Sequence, residues 1–513
     1  MEAAAIAEEE QPAAATSAAS CEVRLHIGDT APPVKTITVT EGPYRLRRVP
    51  QWVRDANKDA YAPKFMCFGP YHYYNHVGLH HEELKGRYAT ELLQDAEPRD
   101  EARRHQLRQI CEQRLREMST DIREFYADLS PIEAAEMTKE AWVKMMFLDG
   151  CFILKHLCNY ALDINEKELH QSRWVPAQLR SDLTLLENQI PFAVLLALFD
   201  HLAPRVLLPR SADEKKRRRL LDMALWYMLR GSLSLPPRKR PTDVLGVDPE
   251  VPVDHLLHLL HVAHCAQLDA ALDAARPPER DLRGFVSALP IRMMRLLRCL
   301  CMLGYEPGPG DTKFDGHSME NVPSAAELKA MGIWITRTTT TTTGPGPHHG
   351  GALLDVRFME DRVRLEIPPL YVEQTTAPLL QNLIAFEQQV GADDGGDYCT
   401  TYAFLMYNLV STREDITLLQ DLRILHNNFG SDKKVINYFK NLCVWNRRSG
   451  STPIDNVLTD LRRCRVLHVY RDLAEVKNYI NSPVKILLLI ISAMVALSTV
   501  MQALMAIRPP TGH

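Results

Sequence analysis

Met145-Met146-Phe147-Leu148-Asp149-Gly150-Cys151-Phe152-Ile153-Leu154 sets nine uncharged, mostly apolar residues around one carboxylate. The run is too short, and with Asp149 at its middle too charged, to cross a bilayer. The expectation is a helix through the centre of a globular core, opened upstream by Ser130-Pro131 with Glu133. A buried Asp149 then needs hydrogen-bonding partners.

Working outward, charges and apolar residues alternate at helical spacing between positions 82 and 129: Leu84, Tyr88 and Leu92, then Leu107, Ile110, Leu115, Met118, Ile122 and Phe125. That pattern predicts amphipathic helices with one face to solvent. Asp182 reads as the N-cap of a helix carrying Leu183, Leu186, Ile190 and Val194, kinked near Pro191. Residues 205–252 shift to Lys, Arg and Pro and read as an irregular excursion. Helical patterns return over 255–275 and 285–303, then from a cap at Thr375 or Thr376 to Gly391, then over 402–427, 433–445 and 454–480. Residues 353–367 alternate as one or two strands. The region 307–351, with six threonines meeting GPGPHHGG, is a low-complexity insertion, and residues 1–40 read as a disordered segment. The fold class expected is mainly α: a large helical domain over 44–482 with a small β element near 353–367 and a C-terminal transmembrane helix.

That last helix spans 486–507, ILLLIISAMVALSTVMQALMAI, 22 residues without a charge. As a helix it rises roughly 33 Å, the thickness of a bilayer core. Arg471, Lys477 and Lys485 precede it, with Arg462, Arg463 and Arg465 just beyond, and Arg508 alone follows. The positive-inside rule then places the body in the cytosol of a single-pass membrane protein. The opening MEAAAIAEEEQPAAA lacks the basic and apolar regions of a secretory signal. No Asn-x-Ser/Thr acceptor occurs, and the eleven cysteines follow no disulfide framework, so they read as reduced thiols. A formal net charge of -4 points to no nucleic acid partner.

Three groups of residues invite chemical readings. His255-x-x-His258-x-x-His261-x-x-His264-Cys265 follows Asp254, and steps of three on a helix rotate successive rings by about 60°. A neighbouring pair with Asp254 or Cys265 is a candidate zinc site, and half-buried core histidines are the alternative. Gly69-Pro70-Tyr71-His72 marks a turn near Cys67. It is therefore either a structural turn or, with Asp149, a Cys/His hydrolase or transferase set. Glu187-Asn188-Gln189 precedes Ile190-Pro191-Phe192, and Asn382 recurs in a similar setting, LLQNLIAF against LLENQIPF. These positions suggest two similar helices whose polar groups Asp149, Glu187, Asn188 and Asn382 meet in one internal network. The basic clusters 215–219 and 238–240 read as solvated loops, or as a nuclear import or acidic-lipid signal. No P-loop, GxGxxG, HExxH, GxSxG or kinase signature appears, so no cofactor and no catalytic residue is assigned.

Taken in order, these motifs resemble the plant DUF247 (UPF0481) family: Arg48-Val49-Pro50, Tyr61-x-Pro63, Gly69-Pro70-Tyr71-His72, Lys85-x-x-Tyr88, MMFLDGCFIL, DLTLLENQIPF, LLDVRF, Ile367-Pro368-Pro369-Leu370, NLIAFEQ and Gly430-Ser431-Asp432. The resemblance implies a plant membrane protein with a C-terminal transmembrane helix and no catalytic residues to carry over. It implies action in recognition or signalling through an unknown protein partner, with the lipid bilayer as the other contact.

Overall fold

The computed structural model describes residues 45–73, 81–129, 137–204, 207, 216–229, 242–243, 247–274, 322–338, 354–359, 363–373, 377–390, 396–443 and 452–466, and positions 491–492, 494–495, 497–499 and 502. The chain divides into two units, Met1–Thr40 and Glu41–His513, and every described residue lies in the second. The expected helix over 285–303, the insertion over 307–351 apart from 322–338, and Ser130 through Glu133 fall outside the described residues.

The fold is mainly α. Helices α1 (Gln51–Arg54), α2 (Glu82–Ala96), α3 (Glu101–Glu117) and α4 (Ser119–Glu124) lead into α5 (Lys139–Ala161), the 23-residue helix around which the first half packs. Thr138 caps α5, its side chain accepting from the Ala141 amide, so the helix as described starts at Lys139. On α2 the buried positions are Lys85, Tyr88, Ala89, Leu92 and Leu93, an i, i+3, i+4, i+7, i+8 stripe. That stripe lies against α5. Next come α6 (Val175–Asp182), α7 (Phe192–Leu202), α8 (Lys216–Met228) and α9 (Leu256–Ala274), and α7 and α8 also pack on α5.

Two expectations change here. Asp182 ends a helix instead of opening one, and Leu186–Asn188 is a single 3-10 turn before Pro191 starts the next. Three carboxyl-terminal features explain the break: Leu185 is extended, Gln189 is extended, and Pro191 sets the φ of a helix entry. The excursion over 205–252 contains α8, whose Leu220, Leu221, Met223, Ala224 and Leu225 are wholly buried. Its basic first turn, Lys216 to Arg219, had masked that apolar face.

In the second half, α10 (Ala325–Ala330) precedes β1 (Trp334–Arg337), β2 (Arg357–Met359), β3 (Arg364–Ile367) and β4 (Leu370–Val372). Then follow α11 (Ala377–Val390), α12 (Tyr398–Leu409), α13 (Arg413–Asp421), β5 (Leu425–Asn427), α14 (Asp432–Cys443) and α15 (Pro453–Val466). A three-stranded sheet runs β1-β3-β2, with β1 parallel to β3 and β2 antiparallel to it, and β4 pairs in parallel with β5. The stretch 402–427 is therefore not one helix. A capping box at Thr412 and Asp415 restarts it, and Leu425 leaves it to pair with Leu370. One apolar cluster runs through the unit from Leu46 to Cys464.

Among the described residues no single helix is long and apolar enough to cross a membrane. A bent pair of membrane-like composition, Val175–Asp182 with Leu186–Leu202 at 97°, belongs to the core, with Val194, Leu195 and Leu202 wholly buried. Of 486–507, the described positions are helical, and Ile491, Met494, Val495 and Leu497 are 44–68% exposed.

Candidate functional site

The chain from Leu46 to Gly69 is short of regular structure, so its amides need partners from elsewhere. Side chains supply them. The buried Asp182 carboxylate accepts from the amides of Lys64 (3.0 Å), Phe65 (2.7 Å) and Met66 (2.8 Å) and from Gln178 Nε2 (2.9 Å). Burial still pushes its pKa above the ordinary carboxylate value, against the pull of those donors. Asn188 Oδ1 accepts from Phe68 N at 2.7 Å, while its Nδ2 donates to the carbonyls of Met66 and Asp182. Asp149 Oδ2 accepts from Gly69 N at 2.8 Å, and Oδ1 receives Lys85 Nζ at 2.6 Å. Lys85 also donates to the Cys67 carbonyl at 2.6 Å. The buried carboxylate of the opening motif is thus neutralised by a lysine buried with it, and both hold one loop.

The seam continues through the turn after Asp182. Glu187 Oε1 accepts from Val49 N at 2.7 Å and pairs with Arg54, and its Oε2 lies 3.9 Å from His72 Nε2. Asn382, on α11, accepts from Leu186 N at 2.8 Å and donates to the carbonyls of Ala60 (2.8 Å) and Pro378 (2.7 Å). Gln189 donates to the carbonyls of Leu183 and Leu185 and accepts from Leu257 N, which ties the turn to α9. Asp149, Glu187, Asn188 and Asn382 therefore each bind main chain of the Leu46–Gly69 segment, forming a seam along it, and none of the hydrogen bonds described joins two of these four side chains directly. Asn188 stands in a 3-10 turn and Asn382 in a helix, so the similar sequences do not form similar helices.

Cys67 and His72 are both buried. Burial, with help from Asp182 and Asp149 and against Lys85, pushes the Cys67 thiol up to about 12. A nucleophilic cysteine needs the reverse, a thiolate at neutral pH. His72 faces Glu187, and the two oxygens of Asp149 are occupied by Gly69 and Lys85. The residues of the hydrolase reading are held in the seam as described.

The four histidines of α9 and its entry part company. His255 Nδ1 accepts from His258 N at 3.1 Å, capping the first turn of α9, and its ring meets Phe125 and Phe386 edge-on. Burial, followed by the neighbouring His258 and His261, holds His255 well below the usual histidine pKa. His258 pairs with Asp254 at 3.0 Å. His264 is buried, and burial with the His261 charge brings it down to about 4. His261 Nε2 reaches Glu387 Oε1 at 2.9 Å. Burial lowers its pKa, but Cys265 and Glu387 outweigh that and hold the imidazole up to about 10. Four rings spiralling by about 60° each do not converge. Among the described residues, His261 is the one histidine of the four that joins a cluster of possible ligand atoms, with Glu387 and Cys399.

Glu387 and Cys399 escaped the sequence reading. Glu387 accepts from Cys399 N (2.7 Å), Thr400 N (2.8 Å) and Thr400 Oγ1 (2.7 Å), so it caps α12 from the end of α11. The available signal was a glutamate on the apolar side of NLIAFEQ. Elsewhere, a pocket between α1, α11 and α14, lined by Val53, Tyr61, Gln381, Ile384 and Leu442, encloses about 30 Å³. That is room for ordered water and too little for a metabolite.

The described residues form a helical body whose Leu46–Gly69 segment is held by a seam of buried side chains. The chain belongs to the plant family DUF247, described as plant protein of unknown function, whose family model matches residues 46–498. It is 25% identical over 404 residues, 77% of this chain and 71% of the relative, to the UPF0481 protein At3g47200 of Arabidopsis thaliana. No solved structure matches the chain.

Proposed function

We propose that the protein is a membrane-tethered, non-catalytic body that acts in recognition or signalling by binding another protein. The observation that carries this reading is the charge-free stretch 486–507, where Ile491, Met494, Val495 and Leu497 are helical and exposed. Leaving such a side chain in water forgoes about 1.5–3 kcal/mol of burial each, so the segment belongs in lipid. On the body, Trp174 is 84% exposed, and Trp52, Trp334 and Tyr371 are each more than half exposed. Trp and Tyr are the side chains that most often anchor protein interfaces. The charge flanking the stretch supports a cytosolic body.

The test compares the full chain with one ending at residue 485, both expressed in plant cells. The full chain is expected to stay with membranes through alkaline carbonate washing, and the truncated chain to be released. Proximity labelling should give the full chain a protein neighbour set that the truncated chain loses. Release of both chains by carbonate, or identical neighbour sets for the two, overturns the proposal.

A further inference from the structure

We propose that His261, Cys265, Glu387 and Cys399 form a structural zinc site that clamps α9, α11 and the start of α12. The ligand atoms of His261, Glu387 and Cys399 lie within 4.8 Å of one another, and all three residues are buried. Cys265 Sγ stands 3.7 Å from His261 Nε2. In a tetrahedral zinc shell with Zn–N and Zn–O near 2.0–2.2 Å and Zn–S near 2.3 Å, a nitrogen lies about 3.4 Å from an oxygen and about 3.6 Å from a sulfur. The observed 2.9 and 3.7 Å fall around those values; Cys265 stands outside the 4.8 Å cluster of the other three, so its part-buried side chain swings inward to complete the shell.

The sequence supports the same set. His261 and Cys265 are four apart on α9, one turn along the same face, the spacing at which zinc modules take two ligands from one helix. The other two ligands arrive from the end of α11 and the first turn of α12. Glu387 is already oriented for the task. Its Oε2 is held by Thr400 N and Oγ1 and its Oε1 by Cys399 N, which leaves the second lone pair of Oε1, beside the imidazole, for the metal. Such outer hydrogen bonds fix the direction of a metal-bound carboxylate. One imidazole, two thiolates and one carboxylate select zinc over magnesium or calcium. Four protein ligands leave no open position, so the role is structural and not catalytic. The proposal is independent of membrane tethering.

The experiment uses the full chain in detergent with a histidine-free affinity tag, purified without chelator. Elemental mass spectrometry is expected to find one zinc per chain. Cobalt added to the metal-stripped protein should give a thiolate charge-transfer band saturating at one equivalent. Cys399→Ser should at least halve the band, and Cys265→Ser should weaken zinc affinity at least tenfold. His258→Gln, on the same helix with its ring on Asp254, should bind zinc as the native chain does. If Cys399→Ser fails to fold, Cys265→Ser, whose side chain is only part-buried, decides. Less than a tenth of an equivalent of zinc with no cobalt band, or undiminished zinc affinity in Cys265→Ser, overturns the site in favour of a plain His261–Glu387 hydrogen bond.

Discussion

Replacing Asn382 with alanine is expected to destabilise the full chain by about 2–4 kcal/mol, because the side chain serves three elements at once. Its Oδ1 is the acceptor for Leu186 N, and a buried amide left without an acceptor costs about 1–3 kcal/mol. Its Nδ2 serves the Ala60 carbonyl, whose loss adds about 1 kcal/mol. The Pro378 carbonyl already lies on the α11 ladder and adds little. Asn382 is wholly buried, so truncation also leaves a small void. Asn382→Asp separates these effects. It keeps an acceptor for Leu186 but sets a carboxylate oxygen against the Ala60 and Pro378 carbonyls, so it should cost more than alanine. Urea unfolding followed by far-ultraviolet circular dichroism reads the difference. With a slope near 3 kcal/mol per molar urea, the alanine midpoint falls by about 1 M. An alanine variant within about 0.5 kcal/mol of the native chain, or an aspartate variant more stable than alanine, would refute the reasoning.

Gly69 sits at φ +66°, and a Cβ there would lie 2.8 Å from the Gln189 carbonyl oxygen. Gly69→Ala should therefore cost about 2–4 kcal/mol through backbone strain and a contact with main chain that cannot swing away. Equal unfolding midpoints for variant and native chain would show that the turn yields. His255 supplies the pH dependence. Its folded pKa lies below 6.5, so the unfolded chain takes up the proton first. The stability it contributes is full above the unfolded value and is lost as pH falls, by up to about 1.4 kcal/mol per pH unit. His255→Asn keeps an N-cap acceptor without a titrating ring. Its stability should fall less steeply below pH 6.5, and superimposable pH profiles would remove the assignment.

What could be read along the chain was what depends on neighbours. The buried face through Tyr88 and Leu92 and the long apolar α5 follow from helical period alone. The restart at Thr412 was also local, since Thr412 and Asp415 carry the capping-box spacing, yet the apolar residues on both sides concealed it. β5 was not local. Its three residues are a strand only because Leu370–Val372, 55 residues earlier at each pairing, lies beside them. Asp182 before a leucine run resembles a helix cap, and nothing near it discloses that its donors are Lys64, Phe65 and Met66. Nothing beside Lys85 in the sequence marks it as buried. Its burial makes sense only with Asp149, 64 residues away. Glu387 likewise gains its meaning from His261, 126 residues upstream.

The seam also fixes an order of events on the ribosome. Asn57 and Ala60 meet Gln381 and Asn382 across 324 and 322 residues, and Arg47 meets Gln389 across 342. At about 5–20 residues per second, the segment from Leu46 to Gly69 emerges roughly 15–65 s before its last anchors are made. Through that interval Tyr61, Met66, Phe68 and Tyr71, all buried in the finished protein, have no completed site to enter. The Leu46–Gly69 segment is thus among the last of the described parts to settle, and its synthesis places a sustained demand on whatever shields nascent apolar chain.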